Sequence, residues 1–164
     1  MGGRGRSFGV DNGIVKIKLY RGFSASSKLE LNSQINDMLA KKARVSSEKT
    51  SASGRGLYFT TEKSEAENYA KIRQSEQKHR YSNVVIATLH GKIAKYYDLS
   101  VQKTNEYNEL MSKAIEQNSR KLGNKANELR NMDLGDYAKL KGYDGINVGD
   151  GTFVVVNQGK LHYD

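Results

Sequence analysis

The amino-acid sequence predicts an α+β domain, and three observations carry that prediction. Ile14-Val15-Lys16-Ile17-Lys18-Leu19-Tyr20 alternates Val15, Ile17 and Leu19 against Ile14, Lys16, Lys18 and Tyr20, the period of a half-buried strand. Residues 28–43 place Leu31, Ile35, Met38 and Leu39 at the spacing of an amphipathic helix. The full order reads β, α, loop, β, α, β, α, α, β, β, without the repeating βαβ unit of a doubly wound parallel sheet.

Each element follows from its local chemistry. The first strand is expected to end at Arg21-Gly22. After the first helix, residues 43–56 are dominated by Ser, Thr and Gly and read as a loop leading into the short apolar strand GLYFTT (56–61). Thr61 is a fitting N-cap for the helix EKSEAENYAKIRQ, with Ser64 as a competing cap, and Glu62 and Glu65 suit the positive end of its dipole. NVVIATLHG (83–91) is a continuous β-rich run, which IAKYYDL (93–99) extends or follows as a second strand. Residues 104–132 read as two polar helices broken at Leu122-Gly123-Asn124. A helical turn in DYAKLKGYDG comes next, then INV and TFVVV as two strands flanking the turn Gly149-Asp150-Gly151.

At 164 residues, the chain is most simply a single domain spanning 13–164, preceded by a Gly- and Arg-rich arm (1–12) in which Arg4 and Arg6 are the charged residues. A domain of this size buries roughly 68–70% of its unfolded surface and needs no cross-link to hold a core. Lys and Arg number 27 against 18 Asp and Glu, a net charge of +9 that favours an acidic partner, whether acidic protein or nucleic acid.

Cysteine is absent, which removes a disulfide framework, a thiol nucleophile and any thiolate-held metal. The three histidines, His79, His90 and His162, show no metal-ligand spacing, so no metal is expected. No apolar run is long enough to span a membrane, and no apolar segment follows Arg4 and Arg6 as a secretory signal requires, so a cytoplasmic protein is expected. Neither GxGxxG nor GxxxxGK[ST] occurs, so the two commonest nucleotide-binding loops are missing.

Chemistry is therefore sought at strand ends and in the Gly-framed loop. Four segments stand there: Tyr20-Arg21-Gly22; Gly54-Arg55-Gly56-Leu57-Tyr58-Phe59-Thr60-Thr61; Ala66-Glu67-Asn68-Tyr69-Ala70, with Tyr69 eleven residues after Tyr58; and Gly142-Tyr143-Asp144-Gly145-Ile146. Singly, each has a structural explanation: a core tyrosine, a turn, a solvated arginine. In this order, and with TFVVV after them, they resemble the ADP-ribosyltransferases, in particular the small toxin-like and phage-associated branch related to diphtheria toxin and the poly(ADP-ribose) polymerases. The resemblance runs from about Lys16 to Val156, with an uncertain stretch from Thr104 to Met132.

The resemblance implies two small antiparallel sheets forming an NAD-binding cleft flanked by helices, with NAD⁺ as co-substrate. Tyr58 and Tyr69 would sandwich the nicotinamide. The backbone of Arg21-Gly22 would hold its carboxamide, with Tyr20 and Thr60 beside it. Arg21 would meet the ribose and pyrophosphate on the adenosine side, and Gly54 and Gly56 would let the backbone approach the dinucleotide. Arg21 departs from the histidine usual in the diphtheria-like branch and matches the arginine-type and RNA 2′-phosphotransferase branches. Many members carry a catalytic Glu just before the strand that corresponds to TFVVV. Thr152 stands there, with Asp150 two residues earlier as the substitute carboxylate.

Arg21, Tyr58, Tyr69 and Asp150 are thus the expected catalytic set. Without the Glu, transfer of a single ADP-ribose to a protein or nucleic acid is expected rather than polymer synthesis. Two rival readings remain: a catalytically degenerate inhibitor built on the same fold, and a basic nucleic-acid-binding module to which NAD⁺ is irrelevant.

Overall fold

The computed structural model describes residues 13–45 and 53–164. Arg4, Arg6 and the rest of the arm lie outside the described residues, as does the middle of the Ser/Thr-rich loop. The elements are β1 (Ile14–Ala25), α1 (Lys28–Leu39), β2 (Leu57–Thr60), α2 (Lys63–Glu76), β3 (Tyr81–Lys95), α3 (Tyr96–Glu116), α4 (Arg120–Asn131), α5 (Leu134–Leu140), β4 (Gly145–Gly149), β5 (Thr152–Val155), a 3₁₀ turn (Gln158–Lys160) and β6 (Leu161–Tyr163).

The α+β class holds, but the arrangement of strands corrects the expectation of two small antiparallel sheets. The strands pair in the order β1-β2-β5-β4-β3, and β3 pairs with β1 again, so five of them close into a barrel with β6 added along β3. The reason is the length of β1 and β3. They run antiparallel in unbroken register from Ile14↔Lys92 to Ala25↔Tyr81, joining what would otherwise be separate sheets. On its other edge β1 meets β2 at the single registered pair Tyr20↔Thr60. The barrel is closed at that point and parts immediately beyond it.

Strand alternation then divides the side chains into two cores. Leu19, Leu57, Phe59, Ala87, Leu89, Phe153, Val155 and Leu161 form one buried cluster inside the barrel. Their neighbours of opposite parity, Tyr58 and Val154, face outward and pack with Ile146 and Ala94 against Leu99, Leu129, Tyr137 and Ala138 of α3–α5. Each fully buried Leu or Ile contributes about 1.5–3 kcal/mol relative to an exposed one.

Several boundaries differ from expectation for local reasons. β1 continues through Arg21-Gly22 to Ala25 because β3 supplies partners along its whole length. Ile93–Lys95 extends β3, whereas Tyr96 begins α3, so the YYDL segment is helical rather than a second strand. The helix break falls at 117–119 and not at Leu122-Gly123-Asn124: Asn118 takes a positive φ of 48° and Ser119 Oγ accepts from the Leu122 amide as the N-cap of α4. At α2 the N-cap is Glu62, not Thr61 or Ser64, and it makes no side-chain capping bond. The late GYDG segment is held by Asp144, whose carboxylate accepts from the Lys92 amide at 2.8 Å and from Asn157 Nδ2 at 2.9 Å.

Candidate functional site

The cleft sits at the seam where β1 and β2 part. Its walls are Tyr20, Arg21 and Gly22 of β1, Tyr58, Phe59 and Thr60 of β2, Glu65, Ala66 and Tyr69 of α2, and Thr152 of β5, around a volume of about 280 Å³. The register explains why these residues meet. Tyr20 pairs with Thr60, and Thr60 with Thr152, so all three project from the same outward face of adjacent strands. Gly22, two residues after Tyr20, shares that face, and α2 lies directly on it: a Cβ at Gly22 would come 2.0 Å from the Ala66 carbonyl oxygen. The bare glycine and the small buried Ala66 and Ala70 bring the helix down onto the strand, which places Glu65 and Tyr69 at the cleft mouth.

Arg21 occupies the gap itself. Its Nη1 donates to the Tyr58 carbonyl oxygen at 3.1 Å, a link between β1 and β2 beyond their one registered pair. Its Nε is buried without a hydrogen-bond partner among the described residues. Burial lowers the Arg21 pKa, as does Arg73 nearby, while the Tyr163 and Tyr69 hydroxyls act in the opposite sense. The Tyr163 hydroxyl is also buried without a partner among the described residues, and burial raises its pKa against the pull of Arg21. An orphaned buried donor beside an open cleft is a group poised to meet a ligand acceptor.

A second recess of about 250 Å³ continues from the cleft and shares Arg21, Gly22 and Tyr69 with it. Its walls also include Ser24, Glu30, Gln34, Arg73 and His79. His79 Nδ1 lies 2.7 Å from Ser24 Oγ, and Gln34 bonds both the Ser24 carbonyl and Glu30. Hydrogen bonds from Ser26 hold the Glu30 carboxyl below its ordinary range. The two recesses together have the size of small-molecule sites, roughly 300–1,000 Å³.

Of the residues singled out in the sequence, Tyr20, Arg21, Gly22, Tyr58, Thr60 and Tyr69 all line this one cleft. Tyr69 is 54% exposed, its ring open to a ligand. Tyr58 is half-buried, its hydroxyl donating to the Gly54 carbonyl at 2.8 Å. Gly54 and Gly56 are not part of the wall. Gly54, at φ 102°, lets the chain pass Gly135 at the start of α5, where a Cβ would lie 2.6 Å from the Gly135 amide nitrogen. Gly56 gives the same clearance to Val154 and Val155. Between them Arg55 is bound to Asp133 and Asp136, so the Gly-framed loop is fastened to α5. Asp150 is exposed at φ 53° in the β4–β5 turn and does not line the cleft.

Sequence reasoning assigned Glu65 to the helix dipole, and the structure adds it to the cleft. The usable signal was its spacing: Glu65 and Tyr69 stand four apart, on one face of α2. Among the described residues no three His, Asp or Glu side chains gather in a way that would hold a metal ion, and no described helix is long and apolar enough to cross a membrane. Compared with family models, curated proteins and solved structures, the chain matches none.

Proposed function

We propose that the protein is an ADP-ribosyltransferase-like enzyme that binds NAD⁺ in the cleft at the β1–β2 seam, transfers one ADP-ribose to a macromolecular acceptor and releases nicotinamide. The observation that carries this reading is the convergence of Tyr20, Arg21, Gly22, Tyr58, Thr60 and Tyr69 on one cleft. They come from two strands and a helix.

The chemistry of the walls suits the dinucleotide. A nicotinamide ring carries positive charge, and an aromatic face attracts such a cation by roughly 0.5–2 kcal/mol. Tyr58 and Tyr69 offer that surface from opposite elements. Past Tyr20 the β1 edge toward β2 has no registered partner among the described residues, and amide groups of the Arg21-Gly22 stretch would suit a carboxamide. Arg21 and Arg73, with His79 behind them, give the second recess the donors that pyrophosphate oxygens require, and a guanidinium fork matches those oxygens in pairs. The net charge of +9 favours an acidic acceptor, protein or nucleic acid.

The test is direct. Calorimetric titration with NAD⁺ should give saturable binding, and incubation with labelled NAD⁺ and a cell lysate should move label into protein or nucleic acid. Binding without transfer would favour a degenerate cleft with an inhibitory role. Nucleic-acid binding that fades steeply with salt and ignores NAD⁺ would replace the enzyme reading altogether.

A further inference from the structure

Resting on the NAD⁺ reading, we infer that Glu65 of α2 is the catalytic carboxylate of this cleft, supplied from the helix where the resemblance expects one from β5. Glu65 is the carboxylate among the residues lining the cleft. It forms no ion pair with Lys, Arg or His among the described residues, so its charge is not consumed by a structural cation. Its orientation is fixed all the same. Thr60 Oγ1 accepts from the Glu62 amide at 3.2 Å and donates to Glu65 Oε2 at 3.0 Å, so one hydroxyl ties the end of β2, the start of α2 and the carboxylate together.

Strand register explains how a helix residue can take over a strand residue's task. Thr152 is the residue where a Glu is expected, and it pairs directly with Thr60, the residue that holds Glu65. Paired Cβ atoms on adjacent strands stand about 4.5–5.5 Å apart. Glu65 is therefore delivered to the neighbourhood that a carboxylate at 152 would occupy, and it shares a helical face with Tyr69 one turn later. Asp150, in the exposed turn beyond Thr152, has no such access.

In the step assigned to it, the bond between C1′ of the ribose and the nicotinamide nitrogen breaks. The bonding pair leaves with nicotinamide, which becomes neutral. Positive charge develops on C1′ and the ring oxygen, and the Glu65 carboxylate stabilises it electrostatically. A lone pair of the acceptor forms the new bond to C1′, and the acceptor's proton passes to Glu65 and then to solvent. With water as acceptor the products are ADP-ribose, nicotinamide and a proton.

Nicotinamide release from NAD⁺ by the full chain, with water as acceptor, reads this directly. Glu65→Gln keeps the shape and an acceptor for Thr60, and should lower release by ~10²–10³-fold, the effect of deleting one such electrostatic contact, while NAD⁺ affinity by calorimetry stays within a few-fold. Glu65→Asp, charged but shorter, should retain more activity than Glu65→Gln. Thermal unfolding of both variants should match wild type, because Glu65 is exposed. Release by Glu65→Gln within a few-fold of wild type overturns the proposal, as does loss on Asp150→Ala with retention on Glu65→Gln; both leave the NAD⁺ reading intact. A wild-type protein that binds NAD⁺ and releases no nicotinamide overturns the proposal together with the transfer reading and leaves only NAD⁺ binding, whereas one that does not bind NAD⁺ overturns all three.

Discussion

The Arg21 guanidinium donates a hydrogen bond to the Tyr58 carbonyl oxygen at 3.1 Å, joining β1 to β2 where the two strands have already parted. One residue thus closes the barrel seam and lines both recesses of the candidate site. Lysine keeps the charge but presents a single ammonium in place of a planar fork, and it cannot hold the Tyr58 carbonyl and meet a pyrophosphate with the same geometry. Arg21→Lys should therefore weaken NAD⁺ binding by roughly tenfold or more, in line with ~1.5–3 kcal/mol for a hydrogen bond to a charged group. Calorimetry with NAD⁺ checks it. An unchanged affinity would show that the guanidinium serves the seam alone.

The two tyrosines should behave differently under the same substitutions. Tyr69 is 54% exposed, so Tyr69→Ala should leave thermal stability nearly untouched while weakening NAD⁺ binding, and Tyr69→Phe should bind like wild type because the ring face does the work. Tyr58 is half-buried and its hydroxyl holds the Gly54 carbonyl. Tyr58→Phe should preserve affinity yet cost about 0.5–1.5 kcal/mol in chemical denaturation. Equal loss of affinity for Phe and Ala at position 69 would sink the stacking account.

The cleft residues were legible because their signals are local. A strand ending in Tyr-Arg-Gly, a second strand carrying Tyr58 and Thr60, and a helix carrying Tyr69 can each be read within a few residues, and Tyr20, Arg21, Tyr58 and Tyr69 do meet. What stayed hidden depends on register and closure. Closure of the barrel depends on β1 pairing with β3 at separations of 56 to 78 residues, from Ala25↔Tyr81 to Ile14↔Lys92, which no local pattern reports. Glu65 looks like any acidic residue in a first helical turn until Thr60 is seen to hold it. The resemblance implies that Gly54 and Gly56 let the backbone approach the dinucleotide, yet the close approaches they permit are to Gly135 and to Val154 and Val155. The sequence suggests a break between α3 and α4 at Leu122-Gly123-Asn124, but Asn118 and Ser119 turn and cap the chain earlier, and Gly123 is carried inside α4.

Acid should loosen the α3–α5 contact. Tyr137 is fully buried and donates to Glu106 Oε1 at 2.7 Å, and Lys141 Nζ lies 2.5 Å from the same oxygen. Burial opposes ionisation of Glu106, but hydrogen bonds from Lys141 and Tyr137, with the Lys141 charge, outweigh it and hold the carboxyl below its ordinary value. A carboxyl with a lowered pKa in the folded state contributes stability that is complete above the unfolded value of about 4.3 and is lost as pH falls through the folded value. The pair is partly exposed, so the contribution is small, ~1 kcal/mol or less. Urea unfolding between neutral pH and the acid limb should show a shallower decline for Glu106→Gln than for wild type. Parallel curves would assign the acid sensitivity to other carboxylates.

The seating of α2 on β1 gives the sharpest link between fold and site. A Cβ at Gly22 would lie 2.0 Å from the Ala66 carbonyl oxygen, 2.9 Å from its carbon and 3.0 Å from the Ala70 Cβ. The first two are helix backbone, so no side-chain rotation relieves the clash and the helix has to move. Gly22→Ala should cost about 1–3 kcal/mol, the usual range for overpacking. It should also reduce NAD⁺ binding, because Glu65 and Tyr69 move with the helix that carries them. Gly123→Ala supplies the contrast. Inside α4 a Cβ at 123 meets only the Ala114 Cβ, at 4.0 Å, and removing a mid-helix glycine should add about 0.5–1 kcal/mol with no effect on NAD⁺. Denaturant melts and calorimetry on the two variants should therefore diverge in both quantities. If Gly22→Ala is as stable as wild type and binds NAD⁺ normally, α2 does not set the width of the cleft, and a site built from one helix and two strands has to be given up.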